Sequence, residues 1–163
     1  MALLPVLIAP DPRLKLKAKP VDRVDSAVRR LMDDMLETMY LAPGIGLAAP
    51  QVGHALRVIV LDIARDEEEK QPLRMANPEI LWRSEELATY NEGCLSLPEH
   101  YADVSRPAEI REMKAEGLLA TDIQHEMDHL QGVLFVDHIS PLKRNIILRK
   151  LAKTKRLAVT EPA

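Results

Sequence analysis

The segment Gln124-His125-Glu126-Met127-Asp128-His129 constrains this chain more than any other. At about 3.6 residues per turn, histidines four apart share one helix face, where both imidazoles reach the same metal ion. Glu126 follows the first histidine directly and projects beside the pair, within reach of a water on that ion without being a ligand itself. Leu119, Ile123, Met127 and Leu130 recur at helical spacing along the same stretch, so the helix is expected to lie inside the protein and take its histidines with it. On a surface helix the same motif would be only a solvated His and Glu face. As a catalytic centre it needs a third protein ligand, which the rest of the chain must bring.

A chain of 163 residues suits one domain, and 47% hydrophobic content is enough for a core without staples. Aromatics make up only 3%, which leaves the core to Leu, Ile, Val, Ala and Met and argues against the stacking platforms of single-strand binders. No DNA partner is expected. No stretch approaches the roughly 18 apolar residues of a membrane span. The opening Met1 to Asp11 has no basic start, an early proline and an apolar run too short for a secretory signal. Cys94 is the single cysteine, which excludes an intramolecular disulfide and fits a reducing compartment. A cytoplasmic monomer with no membrane partner is the expectation.

The net charge of −3 is unevenly spread. Pro141 to Thr160 holds seven Lys and Arg residues and no acid, leaving −10 on the remainder. A basic tail on an acidic body can orient a protein on a polyanion, although a solvated amphipathic face is the commoner meaning of such a helix.

Residues 1–23, with prolines at 5, 10, 12 and 20 and no clean period, are expected to form an extended arm with little core content. From Asp25, the spacing of Val28, Leu31, Met32, Met35, Leu36 and Met39 predicts an amphipathic helix that ends near Ala42-Pro43, its methionines packing the core. The Gly44-Ile45-Gly46 turn follows, without the preceding strand that a dinucleotide fingerprint requires. Leu56 to Ile63 reads as a buried strand, Arg74 to Glu86 as a strand broken at Pro78 with Trp82 partly buried, and Tyr101 to Ile110 as another strand. Gly132 stops the histidine helix, and Ser140-Pro141 opens a basic terminal helix over 140–157.

Cys94 lies beside Gly93, where a backbone without a side chain lets a substrate or metal approach. A lone cysteine is commonly a small buried hydrophobe. Placed beside His125 and His129, it would give three ligands and leave a fourth position for water, whose proton Glu126 would take and pass on. A zinc peptidase would draw its third ligand from downstream instead, where Asp137, His138 and Glu161 fall in no convincing helical register.

Three stretches taken together resemble the peptide deformylases: Gly44 to Gln51, Glu92 to Ser96, and Gln124 to His129. The resemblance implies an α+β fold, with antiparallel strands packed around the central metal-binding helix and a C-terminal helix. It also implies removal of the formyl group from the initiator methionine of nascent peptides. Cys94, His125 and His129 match the metal ligands and Glu126 the acid/base. The side-chain amide of Gln51 and the backbone N–H of Leu95 match the oxyanion donors, and Ile45, Gly46 and Gly93 line the path of the extended peptide. The family's ion is typically ferrous iron, with zinc or nickel able to occupy the site, and its terminal helix docks on the ribosome.

The chain departs from the family pattern in two places. Between Ile110 and Gly117, Arg111 to Glu116 replaces a longer strand-turn-strand. Asp122 stands where a small apolar residue or cysteine is usual, near the pocket for the methionine side chain, and is expected to weaken binding of formyl-methionyl substrates. A catalytically silent member that binds peptide or ribosome is the alternative that these departures leave open.

Overall fold

A computed structural model describes residues 2–65, 68–111 and 115–160 of the 163. Glu112 to Lys114, within the shortened segment, and Glu161 lie outside the described residues.

Helix α1 (Ser26–Leu41) starts where Asp25 accepts hydrogen bonds from the backbone N–H groups of Ala27 and Val28, each at 3.0 Å. Three antiparallel strands follow as one sheet: β1 (Gly46–Ala48), β2 (Val58–Leu61) and β3 (Leu73–Ala76), with β2 central. The alternation of β2 decides the layering. Val58 and Val60 pack on Met32, Met35, Leu36 and Met39 of α1, whereas Ile59 and Leu61 face the opposite way. There they meet Ala120, Ile123 and Leu130 of α2 (Gly117–Leu130), the helix that carries the histidines.

Two smaller sheets complete the arrangement. Strands β4 (Trp82–Arg83), β7 (Glu109–Arg111) and β8 (Ala115–Glu116) form one, in the order β4-β7-β8. The long hairpin of β5 (Leu87–Cys94) and β6 (Leu97–Pro107) forms the other, turning at Leu95-Ser96. Helix α3 (Pro141–Thr160) closes the described chain, with Ser140 Oγ accepting from the N–H of Lys143 at 3.3 Å. No helix among the described residues is long and apolar enough to cross a membrane. This is the α+β arrangement of antiparallel strands around a histidine helix that the resemblance implies.

Several local expectations need correction. The Gly44 to Gln51 turn contains β1 and a 3-10 turn at Ala49–Val52, and β5, which sequence spacing did not reveal, carries Cys94 at its end. Trp82 lies on the surface with the Arg111 guanidinium over its ring. The terminal helix continues to Thr160. The arm is neither wholly extended nor poor in core: Pro12–Lys15 is a 3-10 turn, and Ala9, Leu14 and Ala18 are buried.

The arm also fastens three other segments by backbone bonds. The N–H of Leu7 donates to the carbonyl of Gln51 (2.7 Å), that of Ala9 to Ser96 (2.8 Å), and that of Ala18 to Leu130 at the end of α2 (2.9 Å). Gly132, at φ +74°, permits this docking, because a Cβ there would strike the carbonyl of Lys15. Replacing Gly132 with Ala is expected to cost about 1–3 kcal/mol, seen as a lower urea midpoint at unchanged slope.

Candidate metal centre and active site

The inner face of α2 presents His125 and His129 with ring centroids 5.1 Å apart, and His125 also stacks on Phe135. Cys94, at the end of β5, meets them there. A donor atom from each of Cys94, His125 and His129 lies within 4.8 Å of the others, and Cys94 Sγ sits 3.3 Å from His129 Nε2. The downstream candidates of the peptidase reading are engaged elsewhere: Asp137 holds Lys15 and Arg144, and His138 holds Asp128.

The position of Cys94 follows from the hairpin. Its two-residue turn pairs Cys94 with Leu97, and a register shift beyond it places Gly93 opposite Tyr101. His125 is aimed by Glu92, two residues earlier on the same strand, whose Oε2 accepts from His125 Nδ1 at 2.8 Å. That bond fixes which imidazole nitrogen is left for an ion. Arg106 on β6 grips Glu92 with two hydrogen bonds of 2.6 and 2.9 Å and reaches Asp128 of α2 at 2.8 Å. Burial alone would raise the Glu92 carboxyl, but Arg106 and His125 outweigh it and hold the group at about 2.

The donor chemistry fits a divalent metal. Burial works against a Cys94 thiolate, yet the two imidazoles prevail and bring the thiol down to about 6. His129 Nδ1 is buried with no hydrogen-bond partner among the described residues. Two imidazoles and a thiol that ionises readily make the three-ligand set of a catalytic rather than a structural ion.

Gln51, in the 3-10 turn, points its amide at the same centre. Its Oε1 accepts from the N–H of Ala48 (2.8 Å), while Nε2 donates to Ser96 Oγ (3.2 Å) and lies 3.4 Å from Cys94 Sγ. Leu95 occupies the hairpin turn beside it. Ile45, Gly46, Gln51, Gly93, Cys94, Leu95, His125 and Glu126 all line one cavity of about 440 Å³. Its floor is α2, where Glu126 and Asp122 lie one turn apart, both buried.

Gly46 is required by that floor. A Cβ on it would come within 2.5 Å of Glu126 Oε1 and 2.7 Å of Asp122 Oδ1. Burial pushes Glu126 up to about 8 and Asp122 up to about 7; His125 acts against both shifts, and the charge of Asp122 adds to that of Glu126.

With this geometry in place, comparison with known proteins is specific. The profile of the family described as Polypeptide deformylase matches residues 3–145. The chain belongs to the polypeptide deformylase family. A peptide deformylase of Methylocella silvestris is 56% identical, over 99% of this chain and 90% of that protein. One from Phenylobacterium zucineum is 54% identical over 97% of this chain and its own full length. The crystal structure of the Ehrlichia chaffeensis peptide deformylase in complex with actinonin superposes with a TM-score of 0.90 at 37% identity, covering 96% and 99% of the two chains. The alignment with the Methylocella protein spans 176 positions, more than this chain has residues, so that relative contains residues without a counterpart here.

Family membership makes the chain a metal-site hydrolase of the deformylase class, and the silent-binder alternative finds no support. All nine residues singled out from sequence converge on one site. Glu92 and Asp128 lie inside the sequence motifs but carry no role there, His138 stands only as a rejected peptidase ligand, and nothing in the motifs points to Arg106. A signal for Arg106 existed: it lies two residues after the buried Val104, so strand alternation puts its charge on the inner face, where it needs a carboxylate. Glu92→Gln is expected to weaken divalent-metal binding by about 10–100-fold, read by competition with a chelator; unchanged affinity would show that Glu92 does not orient His125.

Proposed function

We propose that the chain deformylates nascent peptides in the cytoplasm as a monomer, holding one divalent ion on Cys94, His125 and His129. The convergence of these three donor atoms within 4.8 Å, beside the enclosed Glu126, carries the reading. Ferrous iron is the ion assigned from the family resemblance, and a thiolate with two imidazoles also accepts zinc or nickel. When bound, the ion acts as a Lewis acid on the formyl carbonyl and lowers the pKa of water near it.

The remaining work falls to the chain itself. Glu126 takes a proton from the attacking water and delivers it to the amine as the C–N bond breaks, so formate leaves and a free α-amino group remains. A carboxyl that burial raises to about 8 suits this exchange near neutral pH. Gln51 Nε2 and the Leu95 N–H donate to the oxygen that gains charge as the formyl carbon becomes tetrahedral. The bonds from Gln51 to Ala48 and Ser96 support that role, since a donor held before reaction needs no reorganisation during it. β1 is an edge strand, which leaves the Ile45-Gly46 side available to an extended peptide, with Gly93 lining the same cavity.

Metal-loaded protein is expected to release formate from an N-formylmethionyl tripeptide. Glu126→Gln should lower kcat by about 10²–10⁴-fold while retaining the ion; near-normal turnover by that variant would exclude Glu126 as the acid/base.

The basic helix α3 is assigned to ribosomal RNA. Lys143, Arg149, Lys150 and Lys153 are exposed on it, whereas Leu151 is buried in the core, so charge substitution is a cleaner test than truncation. Co-sedimentation with ribosomes is expected to fall steeply with salt and to be lost when these four residues become Glu. Equal binding by the variant would leave α3 as a solvated structural helix.

A further inference from the structure

Asp122 has no place in the chemistry described above, yet it is built into the floor of the cavity. It is 5% exposed, and its Oδ2 is enclosed without any hydrogen-bond partner among the described residues. Its other oxygen lies against Gly46, where a Cβ would stand 2.7 Å away. Leu118 and Thr121 line the cavity together with it, and this recess lies one helical turn along α2 from Glu126 and His125.

That turn is about 5.4 Å of rise, which a side chain three bonds beyond its Cβ can span from the reacting centre. Such a side chain would reach the recess with its last atom. The carboxyl can turn about its terminal bond, a broad two-fold rotation, and so present the unpaired oxygen to whatever arrives. A thioether or alkyl end offers it nothing and displaces any water that could. A terminal N–H pairs with it.

We infer that Asp122 is a specificity-determining residue that makes the inner end of the cavity an acceptor site, favouring a first side chain ending in an N–H donor over an apolar one of equal length. The inference rests on the deformylase reading of the site and names the side-chain class it admits. Methionine and glutamine form the diagnostic pair, because both end three bonds beyond Cβ and differ at the tip: a thioether methyl against a carboxamide. In an apolar recess, glutamine is rejected because its amide is buried unpaired. Here the acceptor offsets that penalty and imposes one on methionine. Methionine peptides are still turned over, less efficiently than their glutamine counterparts.

The test is the ratio of kcat/KM for formyl-Met-Ala-Ser to that for formyl-Gln-Ala-Ser, measured with both peptides competing in one reaction. A ratio taken this way is independent of the fraction of protein that is folded or metal-loaded. Asp122→Ala and Asp122→Leu change the volume of the recess in opposite directions while both remove the acceptor. Each is expected to raise the Met/Gln ratio by about tenfold or more, while Asp122→Asn, which keeps an acceptor oxygen, holds the wild-type ratio. A ratio unchanged in both the Ala and Leu variants overturns the assignment. A rise in only one of them also overturns it, since size rather than hydrogen bonding is then responsible. Formate from neither peptide overturns the reading of the site together with this assignment, whereas formate at unchanged ratios overturns the assignment alone.

Discussion

The site depends on one buried ion pair, Glu92 with Arg106. Removing two charges from water costs several kcal/mol each, and a buried pair of this kind is weak evidence of net stabilisation. Its contribution here is geometric. Glu92 lies two residues from Cys94 on β5, Arg106 lies across the hairpin on β6, and through His125 and Asp128 the pair is bonded to α2 at two successive turns. A thiol on a hairpin and two imidazoles on a helix come from elements more than 30 residues apart in sequence. The Glu92–Arg106 bonds make them one rigid unit, because leaving either partner alone would strand a buried charge at a cost of about 3–5 kcal/mol.

The other half of the site is held by backbone. Gln51 and Ser96, which bond to each other through their side chains, are each fastened by their carbonyl to the arm, through Leu7 and Ala9. The same arm reaches the end of α2 through Ala18. One strap therefore touches the turn that carries the amide donor, the turn beside Cys94, and the helix of the histidines. Polar atoms facing a reacting group gain most when their own supports are fixed in advance. The arm supplies that fixation at the back of the cavity, with Leu14 and Ala9 anchoring it in the core of the hairpin and α3.

The sequence made the chemistry more legible than the framework. His125, Glu126 and His129 announce themselves because helical spacing alone puts them on one face. Cys94 could be attached to them only through ligand accounting and the resemblance, since no local pattern relates β5 to α2. The arm misled because prolines mark irregular backbone without saying what it touches: Leu14 looks solitary in sequence and is buried by residues from near position 97 to position 151. Gly46 carried a signal that could not be read either. Two glycines around one residue imply close approach, but only the fold reveals that the groups approaching Gly46 are the two carboxyls of α2. Arg106 is the instructive omission, because strand alternation already buries it, and a buried guanidinium implies a buried carboxylate somewhere in the chain.

The same framework explains why a shortened segment need not disturb the centre. β7 and β8 pair over only a few residues next to that segment, and they lie near the outer face of α2. On that side Ile80, Ile110, Ile123 and Met127 line a second cavity of about 350 Å³. Ile123 and Met127 point away from the ligands by the helical spacing that points His125 and His129 toward them. Any packing lost there would act on α2 from behind. Against it stand the bonds from Glu92 to His125, from Arg106 to Asp128, and from Ala18 to Leu130, all made on other sides of the helix. These polar tethers have discrete lengths and resist a small shift of the helix more steeply than apolar contacts do, so reduced packing behind α2 bears on the stability of the fold before it bears on the geometry of the ligands.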